Sequence, residues 1–261
     1  MVSKKAFPID GTVTIMVVLV VLVPSVLLTP QTAEFRATFL KKCEEFPEKK
    51  QICEKILATF EQAYVGKNKN EVSEKNYNQV FAETPFTHPC EKTLLWSGTY
   101  EIAHEFAWSS KCFFTLEDTL LGHVLDKLEW CGEKGNKETF TEHCTDVKPN
   151  PVSSFWEKAS ITIGQYACGH VTAMLDGERP APYFPTTFFA LYEVANLQSP
   201  KVTQLTVVLV VKEDKGQCNN ESLKNLNNIL KGKKIVYDCK EVTQSHIKTC
   251  VREKKTCGAC W

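Results

Sequence analysis

Val202 to Val211, V-T-Q-L-T-V-V-L-V-V, is a β-branched, nearly unbroken apolar run. Such a run suits a strand buried on both faces of a parallel sheet. Glu221–Leu230 follows with helical spacing, Lys234–Tyr237 (K-I-V-Y) reads as a second short strand, and Gln244–Val251 as a helix. Strand, helix and strand of these lengths imply a parallel α/β unit after about residue 185. Upstream the texture is helical. Apolar residues recur at helix spacing from Cys43 to Tyr64, Leu94–Trp108 and Ser154–Met174 read as helices, and Gly66–Lys75 and Cys131–Pro151 read as loops. Thr115 with Asp118 fits a capping box, opening a helix whose buried face runs from Leu116 to Leu128. The expected architecture is α+β or α/β: a helical part (about 40–180) packed on a part with a small, mainly parallel sheet (about 185–255). Any active-site cleft lies between them. No G-x-G-x-x-G follows a strand, so a dinucleotide-carrier site has no support.

The 261 residues carry 31 Lys+Arg against 31 Asp+Glu. A zero net charge without a basic stripe argues against a nucleic-acid partner. The 12 cysteines show almost no metal spacing, the single C-x-x-C being Cys257-Gly258-Ala259-Cys260 without histidines nearby. Disulfides in an oxidising compartment are the simpler reading, and neither a metal nor another cofactor is expected.

Thr12 to Leu28 is uncharged and follows Lys4 and Lys5. A helix of this length spans roughly 26 Å, slightly short of a ~30 Å hydrocarbon core. The residues around Ala33 make a poor cleavage site, because Gln31 is not small. The expectation is a single-pass type II plasma-membrane protein: a cytoplasmic tail (1–11), a signal-anchor (12–28) and an extracellular domain (29–261). Secretion after signal cleavage is the alternative.

Between Thr93 and Gly132 lie Trp96, the acidic pair Glu117 and Asp118, and Asp126. Aromatic faces beside carboxylates suit a flat, polar, partly cationic substrate. On a straight helix Glu117 and Asp126, nine residues apart, would point about half a turn away from each other. Both reach one pocket only if the helix bends or ends near Gly122. By base rate Asp118 is a cap, Trp130 and Trp156 belong to the core, and His104 and His123 serve packing or surface.

Five colinear motifs change that weighting: T-L-L-W-S from Thr93, T-L-E-D-T-L-L-G from Thr115, L-x-W-C-G from Leu128, N-P-V-S-x-F-W from Asn150 and Y-E-V-x-N-L from Tyr192. Together, over about residues 40–255, the chain resembles the ADP-ribosyl cyclase / NAD glycohydrolase family. The resemblance implies cleavage of the nicotinamide–ribose bond of NAD to ADP-ribose and cyclic ADP-ribose, with base exchange on NADP as a further possibility. It makes Glu193 the catalytic carboxylate, Trp96 and Trp156 the pocket tryptophans, and Glu117 and Asp126 the residues at the nicotinamide end. Ser97 becomes a phosphate contact. Losing a cationic pyridinium leaves an oxocarbenium-like ribosyl cation, which a carboxylate in a dry site stabilises without need of a general acid.

The chain departs from the family in three places. Ala190 stands where members often carry glycine, and it would be strained if that position needed φ > 0. Phe188 stands where mammalian members have threonine and molluscan ones phenylalanine, implying a larger cyclised fraction. Gly98 stands where some members have arginine. The resemblance also implies the disulfides Cys43–Cys53, Cys90–Cys168, Cys131–Cys144 and Cys218–Cys239, with Cys250 bonded to Cys257 or Cys260. One further family bridge has lost both partners, near Asn70 and Lys148. Cys112 and the remaining C-terminal cysteine stay open between a mutual bond, a homodimer link and free thiols. Asn220-Glu221-Ser222 is a glycosylation sequon. Two rivals stand beside this reading. One is a catalytically silent family member acting as a receptor or adhesion protein, and the other a secreted glycoside hydrolase using Glu117 and Glu193.

Overall fold

The computed structural model describes residues 29–47, 52–139, 144, 147–212, 217–255 and 260–261. Its centre is one four-stranded parallel sheet in the order β1 (Leu94–Ser97), β2 (Gly169–Asp176), β3 (Val202–Val211) and β4 (Val236–Thr243). β3 is an interior strand buried on both faces, as its composition requires. Leu205, Val207 and Leu209 enter the larger core, whereas Val208 and Val210 enter the smaller one. Each fully buried side chain of this kind contributes about 1.5–3 kcal/mol.

The larger core joins the sheet to α1 (Pro30–Glu45), α2 (Cys53–Tyr64), α3 (Asn78–Glu83), α5 (Leu120–Leu125), α6 (Pro151–Tyr166) and α7 (Glu221–Gly232). Its hub is aromatic: the ring of Trp130 lies 5.2 Å from Phe60 and 5.5 Å from Phe155, both edge-on. On the opposite face α4 (Tyr100–Ser110) and α8 (Gln244–Arg252) pack together through Ala103, Phe106, Ile247 and Cys250.

The sheet is wider than the sequence pattern shows, because two strands lie inside stretches expected to be helical. Leu94–Trp108 is not one helix: β1 ends at Ser97, Gly98 turns the chain at φ 77°, and α4 begins at Tyr100. Likewise Ser154–Met174 splits into α6, which ends at Tyr166, and β2, which starts at Gly169 with φ 68°. In both places glycine adopts a left-handed backbone that other residues resist. Cross-strand pairing then outweighs helix propensity for the short segment beside it, Leu94–Ser97 lying opposite Thr172–Leu175. The stretch up to about residue 180 therefore supplies half of the sheet.

The Thr115 capping box forms, with the Asp118 carboxylate accepting from both the Thr115 N–H and its hydroxyl. It caps only a 3₁₀ turn, Leu116–Asp118. Thr119 then becomes extended (ψ 157°) and starts α5 afresh, its hydroxyl accepting from the Gly122 N–H. The break thus falls at Thr119 rather than near Gly122. Gly122 permits it, because a Cβ there would lie 2.0 Å from the Leu116 carbonyl oxygen. The Cys43–Tyr64 periodicity divides into the last turn of α1 and the whole of α2.

The four disulfides implied by the resemblance are present, and Cys250 pairs with Cys260. Cys112 is also disulfide-bonded. The 1–11 and 12–28 segments lie outside the described residues. Among the described residues no helix is long and apolar enough to cross a membrane.

Candidate active site

A cleft of about 840 Å³ opens at the carboxyl ends of β1 and β2. Ligands of parallel α/β sheets bind at this edge. Ser97 closes β1, the 3₁₀ turn brings Glu117, the end of α5 brings Asp126, α6 brings Trp156, and the segment after β2 brings Phe188 and Glu193. All seven residues singled out from the sequence line this one cleft. The break at Thr119 resolves the opposed directions of Glu117 and Asp126, since no single helix joins them.

Glu193 sits on a π-helical turn, Phe189–Val194, pressed against α6. Such turns are rare and frequently mark functional sites. Gly164 allows the approach, because a Cβ there would lie 2.6 Å from the Glu193 carbonyl oxygen. Trp156, Ser160 and Gly164 recur every fourth residue, so they share one face of α6. The Ser160 hydroxyl donates to Glu193 Oε1 at 3.1 Å, while Glu193 Oε2 is buried without a hydrogen-bond partner. Burial is the main cause that pushes the Glu193 carboxyl up to about 8; Ser160 works against that rise, and the charge of Glu117 adds to it. A carboxyl group with one oxygen unpartnered beside a hollow suits a cation.

The other carboxylate is treated oppositely. The Trp96 indole N–H donates to Glu117 Oε2 at 3.2 Å, and His104 Nε2 lies 3.0 Å from the same oxygen. Burial works to raise the Glu117 carboxyl, but His104 and Trp96 outweigh it and hold Glu117 below its ordinary range. Asp126 accepts from the Tyr100 hydroxyl at 2.8 Å. His104 therefore does more than pack. Its helical spacing from Tyr100 was visible, but nothing in the sequence linked it to Glu117.

Phe188 reaches the cleft with its ring 5.2 Å from Tyr192 and 5.0 Å from Lys148 Nζ. Trp156 lies part-buried against Phe155, and Trp130 is wholly in the core. Ala190 is absent from the residues with positive φ, so alanine brings no left-handed strain to the turn that carries Glu193. Among the lining residues that sequence reasoning missed are Ser160 and Arg179. The Arg179 guanidinium occupies the space beside Gly98, where a Cβ would meet Cζ at 2.5 Å. Asp176, the last residue of β2, holds it by a 3.3 Å ion pair. A side chain at position 98 would displace that guanidinium from its present place, so Gly98 and Arg179 are matched here.

Asn220 caps α7, accepting from the Ser222 N–H at 2.9 Å, and its Nδ2 donates to the Pro180 carbonyl at 3.1 Å. Among the described residues no group of histidine, cysteine and acidic side chains is arranged to hold a metal ion.

Known proteins share the sequence and the fold of this chain. The family model described as ADP-ribosyl cyclase matches residues 32–259. The rat ADP-ribosyl cyclase/cyclic ADP-ribose hydrolase 1 is 32% identical over 226 residues, covering 81% of this chain and 74% of its own. The Aplysia californica ADP-ribosyl cyclase/cyclic ADP-ribose hydrolase is 33% identical, covering 84% of this chain and 83% of its own. Porcine CD38 with a covalent intermediate, ribo-F-ribose-5′-phosphate, superposes with a TM-score of 0.75 at 33% identity, covering 81% of this chain and 96% of that one. Aplysia cyclase complexed with substrate NGD and product cGDPR gives 0.75 at 30% identity, covering 87% and 96%.

Proposed function

The chain belongs to the ADP-ribosyl cyclase family, and from that premise we propose that it cleaves NAD at the nicotinamide–ribose bond, with Glu193 as the carboxylate that stabilises the ribosyl cation. The observation carrying this reading is the buried, half-partnered Glu193 facing a cleft that also holds Trp96, Trp156 and Glu117. In the reaction the C1′–N bond breaks, and its electron pair stays with the nicotinamide nitrogen, which loses its positive charge. The ribose is left cationic at C1′. Glu193 supplies the opposite charge from a buried position, where such stabilisation is worth several kcal/mol. Water adding to C1′ and losing a proton gives ADP-ribose, and a ring nitrogen of the substrate's own adenine gives the cyclic product. Porcine CD38 is held with a covalent intermediate, ribo-F-ribose-5′-phosphate, and in this chain Glu193 is the group we assign to meet the ribosyl cation.

Trp96 and Trp156 offer ring faces to the bases, and Glu117 and Asp126 receive the carboxamide end. Ser97 and Arg179 take the pyrophosphate, the guanidinium doing from after β2 what some relatives do from the position of Gly98. Lys127 and Lys148, also on the cleft, suit the additional phosphate of NADP. The unstrained Ala190 removes the one sequence argument for a silent receptor. We also read residues 12–28 as a type II anchor presenting this domain outside the cell. Thr29 caps α1, and Thr32 and Phe35 are buried in its first turns, so cleavage after Ala33 would cut into packed structure. The test is nicotinamide release from NAD by the full-length chain and its Glu193→Gln variant. Release by the parent alone is expected, and silence from the folded parent sinks the proposal.

A further inference from the structure

The contacts of His104 locate a proton. Its Nδ1 lies 2.6 Å from the Tyr100 carbonyl oxygen. A carbonyl can only accept, so Nδ1 carries a hydrogen. In a neutral ring the other nitrogen would then hold a bare lone pair. That nitrogen, Nε2, is buried without a well-aligned acceptor, yet it sits 3.0 Å from Glu117 Oε2. A lone pair facing a carboxylate oxygen at that distance repels. The pair is stable only with one more proton between the two side chains, and imidazolium with carboxylate satisfies both.

We infer that His104 is a positioning residue of the cleft, held as imidazolium so that Glu117 meets the substrate as a charge-compensated acceptor and leaves Glu193 as the uncompensated carboxylate for the ribosyl cation. The role in catalysis rests on the NAD reading; the location of the proton does not.

The surroundings agree from every side. The 3₁₀ turn contributes Glu117 and Asp118, both of which favour the charged ring, and although burial opposes that charge, His104 is held above its ordinary range. From β1 comes the Trp96 ring at 5.6 Å, and from its own helix the Tyr100 ring at 4.0 Å. Tyr100 is tied to Asp126 through its hydroxyl and carries Lys127 Nζ 5.3 Å over its ring. Glu101 and Glu105, the other charges on α4 nearby, point to solvent or lie exposed. α8, packed on the opposite side of α4, presents apolar Ile247 and Cys250. Among the described residues the ion-pair partner of Glu117 is the His104 ring. The consequence reaches Glu193, because the Glu117 charge is one of the forces holding its proton. An imidazolium beside Glu117 blunts that force.

Histidine-ring ¹⁵N spectra of the full-length protein test the proton directly, with the His104 signals assigned by their loss in His104→Gln. Both ring nitrogens protonated at neutral pH, with a deprotonation midpoint higher than in Glu117→Gln, is the expected result. A neutral ring in the parent, or equal midpoints, overturns the inference. Kinetics supply a second readout that a merely structural lesion would not give. In His104→Gln the acid limb of kcat/KM for NAD moves to higher pH, in Glu117→Gln it does not, and the double variant follows Glu117→Gln rather than adding the two effects. An unmoved limb in His104→Gln refutes the positioning role. A parent that spares NAD refutes the proposed activity, and the spectra still decide the proton.

Discussion

Two glutamates face the same cleft and are handled in opposite ways. Glu117 is given a tryptophan N–H and an imidazole, whereas Glu193 is buried deeper and given one hydroxyl. The first is pulled below its ordinary range and the second pushed up to about 8. Two like groups with affinities driven apart by their surroundings indicate a division of labour. On the proposed reading the well-partnered carboxylate recognises the substrate, and the under-partnered one waits for charge that only the reaction brings.

The hardest test of that contrast is Glu193→Gln. Loss of the stabilising charge should lower kcat by on the order of 10²–10³ or more, while the fold gains stability. The sign follows from linkage: a carboxyl whose folded-state affinity is raised keeps its proton while the unfolded chain ionises near 4.5, so the native state loses stability as pH rises from there to about 8. Glutamine removes that penalty, amounting to several kcal/mol at most. Thermal melts should therefore show a higher Tm for the variant at pH 8 than for the parent, with the gap closing towards pH 4. An equal gap at both ends would mean Glu193 is not held neutral. Trading stability for a poised group is common at active sites.

Ser160→Ala sharpens the same end of the cleft. The hydroxyl is the one donor that favours ionised Glu193, and hydrogen bonds to charged groups contribute about 1.5–3 kcal/mol. Because the free enzyme must ionise Glu193 to act, kcat/KM should climb with pH to a plateau above about 8 in the parent. In Ser160→Ala that climb should come later, costing about tenfold at neutral pH and much less well above the limb. A uniform loss at all pH values would place Ser160 in packing alone.

These two ends of the cleft were unequally legible in the sequence. Glu193, both tryptophans and Glu117 stood in recognisable motifs, Asp126 lay between two of them, and the four-residue spacing of Trp156 and Ser160 on α6 was there to be read. β3 announced itself by composition. β1 did not: four residues are too few to show a strand period, and the apolar pattern runs on across Gly98 into α4. β2 was hidden similarly, its apolar run adjoining that of α6. His104 and Arg179 belong to another class, because their partners are tertiary. No local spacing connects a residue of α4 to the 3₁₀ turn, or a residue after β2 to the turn after β1.

Arg179→Ala asks whether the contrast between the glutamates is independent of how the rest of NAD is held. The guanidinium is 43% exposed, so its attraction for a pyrophosphate is partly screened, and a rise in KM of about tenfold with kcat nearly unchanged is expected. Nicotinamide riboside, which has no phosphate, should be cleaved equally well by parent and variant. A fall in kcat instead would mean that Arg179 acts on the chemistry, and the separation of binding rim from reacting carboxylates would not hold.

The smallest effect should be in what happens after bond cleavage. Phe188 stands at the Glu193 end with Tyr192 against its edge and the Lys148 cation nearby, so its ring is fixed by two neighbours. Held there, it offers adenine a surface that keeps the base close to C1′ and away from competing water. Stacking of this kind contributes about 0.5–1.5 kcal/mol, which converts to a change of about threefold in the ratio of cyclic to linear product in Phe188→Thr. Nicotinamide release should stay near the parental rate, because the cation forms before the competing nucleophiles are compared. A changed release rate with an unchanged ratio would place Phe188 with Glu193 in forming the cation instead of in choosing what captures it.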